Sequence, residues 1–163
     1  MKLRPSSPGW ITWGGIAELS RAARDSPRRR KNHNFHEAHD AVHRLLNAIE
    51  PGTYIRPHRH LHPDRSETIV ALAGRIGLIL FDAEGSVLGL RELGDGGDTV
   101  DADLPPEAWH TFVALEPGSV FFETKAGPYA PPGEKDLAHW APPEGSPDSA
   151  AFERKLRALF TRM

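Results

Sequence analysis

Read as a pattern of apolar and polar positions, the chain changes texture twice. Near the start, Ile16, Leu19, Ala22 and Ala23 recur at helical spacing, which predicts a short helix. Ser26-Pro27 ends it, because proline disfavours helical backbone at the residue before it. Short apolar runs follow over 42–49, 53–58, 68–73, 75–81, 87–93, 99–104, 109–115 and 119–124. Turn residues punctuate them: Pro51-Gly52, Gly74, Asp82-Ala83-Glu84-Gly85, the run from Gly94 to Asp98, and Pro117-Gly118. Short strands at even spacing, with no helical pattern between them, predict a sandwich or barrel rather than βαβ units. Residues 127–147 are proline-rich and read as an irregular surface wrap. Phe152, Leu156, Leu159 and Phe160 then line one face of a helix over 148–163, with Arg154, Lys155 and Arg157 away from it. One domain in three zones is expected: an N-terminal helix and basic arm over 1–41, a β-barrel over 42–129, and a wrap with a C-terminal helix over 130–163.

Composition narrows the function classes. Fifteen glycines and fifteen prolines in 163 residues exceed their usual joint share of roughly 12% and suit turns, not a helix bundle. A net charge of −2 and a pI near 6.5 argue against a generally basic nucleic-acid binder. With no cysteine there is no disulfide framework, thiol nucleophile or thiolate metal site. No apolar run approaches the roughly 18 residues of a membrane span. The apolar patch over 10–17 is broken by glycines and lacks a small-residue cleavage site after it. The expectation is therefore no nucleic-acid or membrane partner, with the cytoplasm as the default location.

Nine histidines are the surplus that carries chemistry. Side chains two apart on an extended strand share a face, so His58 and His60 are placed to address one metal together. Glu67 opens the next strand and offers an oxygen to the same point, and His110, at the start of a later strand, closes the set. Imidazoles with one carboxylate suit a single divalent first-row metal (Zn, Fe, Ni or Mn) and leave positions open for water or substrate.

Gly52, His58, His60, Glu67 and Gly74, followed by Pro105 and His110, resemble the two motifs of the cupin superfamily. Six residues rather than three or four separate His60 from Glu67; Glu107 stands where a glycine is usual, and Ala114 where an asparagine is. The resemblance implies a mainly β, cupin-type double-stranded β-helix (a jelly-roll barrel) with short helices at the N- and C-termini. Further runs resemble the WbuC family of cupin-fold metalloproteins, some of them encoded beside O-antigen synthesis genes. These are Ser26-Pro27-Arg28-Arg29-Arg30-Lys31-Asn32-His33-Asn34-Phe35-His36, then Arg44-Leu45-Leu46-Asn47, Pro57-His58-Arg59-His60, the run Phe122 to Tyr129, and Lys135-Asp136 through Trp140-Ala141-Pro142. The likeness spans about residues 18–145 and implies a metal but no reaction. It also marks His36 as a candidate ligand contact. His60 and His62 with Glu67 satisfy the cupin spacing as an alternative; the distance from Gly52 and the Pro-His-Arg-His run favour His58 with His60.

Other candidates have two readings each. Arg28-Arg29-Arg30-Lys31 is either a solvated loop or an arm whose Arg29 and Arg30 hold an anion. Lys125 and Tyr129 lie where a general acid or base would reach the barrel mouth, although Lys125 and Glu123 share a strand face and could instead pair there. Trp109 faces away from the metal into packing; His33, His36, His39 and His43 read as a solvated segment, and His139 as surface. Both faces of 68–73 are apolar, which suits a homodimer partner. The functional expectation is a divalent-metal protein acting on or binding a small polar or anionic ligand: a sugar, sugar nucleotide or carboxylate. As an enzyme it would be a metal-dependent isomerase or epimerase, or a hydrolase. The alternatives are an iron dioxygenase and a non-catalytic sensing or structural metal binder.

Overall fold

The computed structural model describes residues 9–61 and 65–162. Helix α1 runs Trp13–Asp25, with the Thr12 side chain accepting from the Gly15 N–H at its N-terminus. Strands follow as β1 Arg30–Asn34, β2 Val42–Ile49, β3 Glu67–Ala73, β4 Arg75–Phe81, β5 Val87–Gly94, β6 Asp101–Leu104, β7 Trp109–Ala114 and β8 Ser119–Ala126. A 3₁₀ turn, Glu134–Asp136, lies within the proline-rich wrap, and helix α2, Ser149–Ala158, passes into a second 3₁₀ turn, Leu159–Arg162.

The strands form two antiparallel sheets, ordered β1-β2-β8-β3-β6 and β5-β4-β7. Alternation decides what lies between them. Ile49, Ile69, Leu104 and Phe121 point inward from the first sheet and meet Ile76, Leu78, Leu93, Phe112 and Ala114 from the second. The fold is thus the mainly β jelly roll, two sheets closing on one core. Each outer face is covered by a helix. Ile16, Leu19 and Ala23 of α1 pack on Leu46, Ala48, Val120 and Phe122. Leu156 and Phe160 of the C-terminal helical segment pack on Ile79, Phe81 and Val113. The second apolar face of 68–73 has its explanation here: Leu72 and Ala73 lie against α1, inside the same chain.

Two stretches depart from the sequence reading. Residues 53–58 are extended but make no strand, only an isolated bridge at His58. Side chains take the carbonyls that a ladder would use: Arg30 donates to Tyr54 O, Thr111 to Ile55 O, and His58 to Arg56 O. Conversely, the polar run Arg30–Asn34 forms an edge strand on β2, with Arg30 opposite Ile49 and Asn34 opposite Leu45; charged side chains suit an edge that must not recruit another chain.

The motif glycine at Gly74 is required twice over. Its φ is +71°, and an added Cβ would lie 2.8 Å from the Ser119 Cα, too close for any side chain.

Candidate metal centre

Four donors converge at one end of the barrel. Glu67 and His110 point inward from the ends of β3 and β7 and are almost fully buried; His58 and His60 come from the extended segment beside them. The ligand atoms of His58, His60, Glu67 and His110 all lie within 4.8 Å of one another. His58 is fixed by a reciprocal pair of backbone hydrogen bonds with His110, 3.0 and 2.9 Å long, which sets the two rings 4.5 Å apart.

The tautomers follow from what the other ring nitrogens touch. His58 Nδ1 lies 3.0 Å from Arg56 O and His110 Nδ1 lies 2.9 Å from Ala108 O. A carbonyl only accepts, so both Nδ1 atoms carry hydrogen, and in the neutral imidazole, the form able to ligate, it is Nε2 that presents the lone pair. His60 Nε2 is 2.8 Å from Glu67 Oε2. His110 Nε2 is 3.5 Å from the same oxygen, buried and without a hydrogen-bond partner. Two acceptors facing each other in a buried place call for a cation between them. The donor set therefore fits a divalent metal, with the carbonyl contacts orienting the imidazoles in the manner usual for such ligands.

Ionisation agrees with that state. Burial and the neighbouring His110 bring the His58 pKa down to about 3, so its imidazole is neutral and able to ligate.

A polar line continues inward along the barrel. Asn47 donates to Glu123 Oε2 at 2.8 Å, and Lys125 Nζ lies 2.6 Å from Glu123 Oε1. Burial and then the Glu67 charge push the Glu123 carboxyl up. Burial works against the Lys125 ammonium, but the Glu123 and Glu67 carboxylates prevail and raise its pKa. The pairing reading of Glu123 and Lys125 is therefore seen. Lys125 also faces a cavity of about 400 Å³ beside the donors, lined among others by His43, His58, His60, Arg59, Arg65 and Tyr129. Tyr129 is 62% exposed at its rim.

Other expected residues lie elsewhere. Arg30 is level with Ile49 on β2 and Ser119 on β8, whereas Lys125 and Glu67 stand at the opposite end of that sheet. At about 3.3 Å per residue the separation is roughly 20 Å, so the basic arm does not reach the donors. Arg29 Nε donates to Pro51 O, and Arg30 to Tyr54 O and Glu144. His36 accepts from the Arg44 N–H and stacks on His43, ring centroids 4.0 Å apart. His43 is buried rather than solvated; its parity with Asn47 and Ile49 on β2 was the signal that places it on the inner face. Arg59 was not singled out by the sequence: its guanidinium sits 4.5 Å over the Trp109 ring, and its neighbours His58 and His60 were the only hint. His62 falls outside the described residues. Among those described, no helix is long and apolar enough to cross a membrane.

Several solved structures are similar to this chain. One is KdgF from Halomonas sp., with 21% identity, a TM-score of 0.48, and coverage of 65% of this chain and 85% of that one. Another is an oxalate decarboxylase formate complex from Lactobacillus farciminis, with 18% identity, a TM-score of 0.48, and coverage of 66% and 30%. A conserved protein of unknown function from Streptococcus pyogenes is 11% identical with a TM-score of 0.48, covering 64% and 80%. The chain spans less than a third of the oxalate decarboxylases it matches, 26% in one case and 30% in another. No curated protein matches it by sequence. A family model does, over residues 11–93, from α1 to β5, and the chain therefore belongs to the family described as Domain of unknown function (DUF6016).

Proposed function

We propose that this is a cupin of the WbuC kind that binds one divalent metal through His58, His60, Glu67 and His110 and admits a small anionic ligand beside it. The observation that carries the metal reading is the buried His110 Nε2, unpartnered and directed at a carboxylate oxygen. The ligand reading rests on the adjoining cavity, whose wall holds Arg59, Arg65 and Lys125 against, among the described residues, the single acid Asp136. Bound there, such a metal would supply Lewis-acid polarisation of a ligand oxygen. Arg65 and Lys125 hold the ligand's charge, and Lys125, kept protonated by Glu123, is the group able to give a proton to a bound oxygen. Tyr129 stands at the rim and brings a hydroxyl to the same cavity. Three imidazoles with one carboxylate depart from the two-His, one-carboxylate set of the iron oxygenases, which favours the Lewis-acid reading over the dioxygenase one.

The test is calorimetric titration of metal-loaded protein with malonate and with a sugar phosphate at low salt. Binding of either, weakened about tenfold by Lys125→Met with metal content unchanged, supports the reading. Absence of binding by the metal-loaded protein to both anions would contradict the ligand half of it.

A further inference from the structure

We infer that the chain carries a second anion-binding site, separate from the donors, in the cavity under strand β1 and gated by the charge of Glu144. The cavity, about 420 Å³, is lined by Ser26, Arg28, Arg30, Lys31, Asn32 and Asn47. Arg28, Arg30 and two carboxamides line it, Lys31 borders it from the other face of β1, and no acid among the described residues lines it. The one carboxylate in contact with its cations is Glu144, from the proline-rich wrap. Arg28 Nε and Nη2 reach Glu144 Oε1 and Oε2 at 2.6 and 3.0 Å, and Arg30 Nη2 reaches Oε2 at 3.0 Å. Two guanidiniums converging on one carboxylate show that they already stand in the geometry that recognises an oxyanion. One negative charge against two guanidiniums leaves the cavity cationic.

Each cation is placed by the local fold. Arg30 sits on the inner face of β1, opposite Ile49, and is anchored by its bond to Tyr54 O. Asn32 is paired with Asn47 in the ladder, which brings both carboxamides to the same wall. Lys31 is exposed and can swing to a bound ligand. Asn47 commits its amide to Glu123, so its carbonyl oxygen stays available to a hydroxyl donor on the ligand. The chemistry that fits is a small polyhydroxylated molecule bearing a carboxylate or a phosphoryl group. Glu144 lowers the affinity by partly neutralising Arg28 and Arg30, and a ligand that competes for them frees the wrap from β1.

The experiment is calorimetry on the full chain at low salt with citrate and with inorganic phosphate, whose relative affinities tell a carboxylate ligand from a phosphoryl one. Glu144→Gln should tighten binding about threefold or more by removing the competing charge, and Arg28→Gln should weaken it about tenfold. Lys31→Ala, an exposed change that leaves the fold intact, should weaken it about threefold. Arg154→Gln, exposed on α2 and lining neither cavity, should change nothing. Equal affinity in the Glu144→Gln variant and the natural sequence would overturn the proposal. Loss of binding in Arg65→Gln, with Lys31→Ala unaffected, would overturn it too and assign the anion to the metal cavity.

Discussion

His58 and His110 are bound to each other by both backbone hydrogen bonds of an antiparallel bridge, and each turns its Nδ1 to the carbonyl two residues before it. The same local device is used twice, once on a true strand and once on a segment that has no ladder of its own. It fixes ring orientation without engaging either Nε2. Both rings are thereby oriented beside Glu67 before any cation arrives, so little ordering has to occur on binding.

The metal-free protein should lose stability in mild acid. The folded-state pKa of His58 lies at about 3, below its ordinary 6.5, so between those values the unfolded chain binds the extra proton. Stability therefore falls as pH drops through that window, by at most about 1.4 kcal/mol per pH unit. Burial and His36 lower His43 as well, with the same sign. Urea unfolding in chelator from pH 7 to pH 4 measures the slope, and His58→Gln should flatten it. An unchanged slope in that variant would show that His58 is not held neutral.

Removing one member of the Glu123–Lys125 pair should be asymmetric. Glu123→Leu leaves a largely buried ammonium beside the donors, at a cost of about 3 kcal/mol. Lys125→Met leaves a carboxyl already pushed up by burial, able to take a proton and keep its bond from Asn47, at a cost of about 1 kcal/mol. Denaturant midpoints of the two variants give the comparison; equal losses would mean that the pair is solvated and contributes little.

Glu107 occupies left-handed backbone, φ +69°, and its N–H donates to His60 O at 3.0 Å. That bond ties the β6–β7 turn to a donor residue, which explains why the position takes a conformation glycine would favour. Glu107→Gly relieves strain but adds freedom to the unfolded chain, so the net change should stay within about 0.5 kcal/mol. Glu107→Val should destabilise by about 2 kcal/mol. Thermal unfolding of both variants checks the ordering, which reverses if φ is not positive in solution.

Much of this was legible in the residues because periodicity reports burial. The strands 75–81 and 119–124 and the terminal helices carry their apolar faces openly; parity on extended backbone groups His58 with His60, and Glu67 and His110 join them as residues that open later strands. What the sequence hid was decided by partners far along the chain. Arg30–Asn34 has no apolar position and becomes a strand only because β2 offers it an edge. Residues 53–58 have the apolar content of a strand, yet side chains from Arg30 and Thr111 take their carbonyls. The basic arm looked free to meet a ligand at the metal; the register of β1 carries it to the opposite end of the sheet.

Metal content tests the central claim most directly. The protein, stripped with chelator and re-equilibrated with a mixture of zinc, iron(II), nickel and manganese, should retain one divalent ion per chain by elemental analysis after gel filtration. His110→Ala and His58→Ala should each reduce that to below about a tenth of an ion while leaving a folded β protein by circular dichroism. A folded natural-sequence protein that retains no divalent ion, or a His110→Ala variant that retains a full equivalent, would contradict the account.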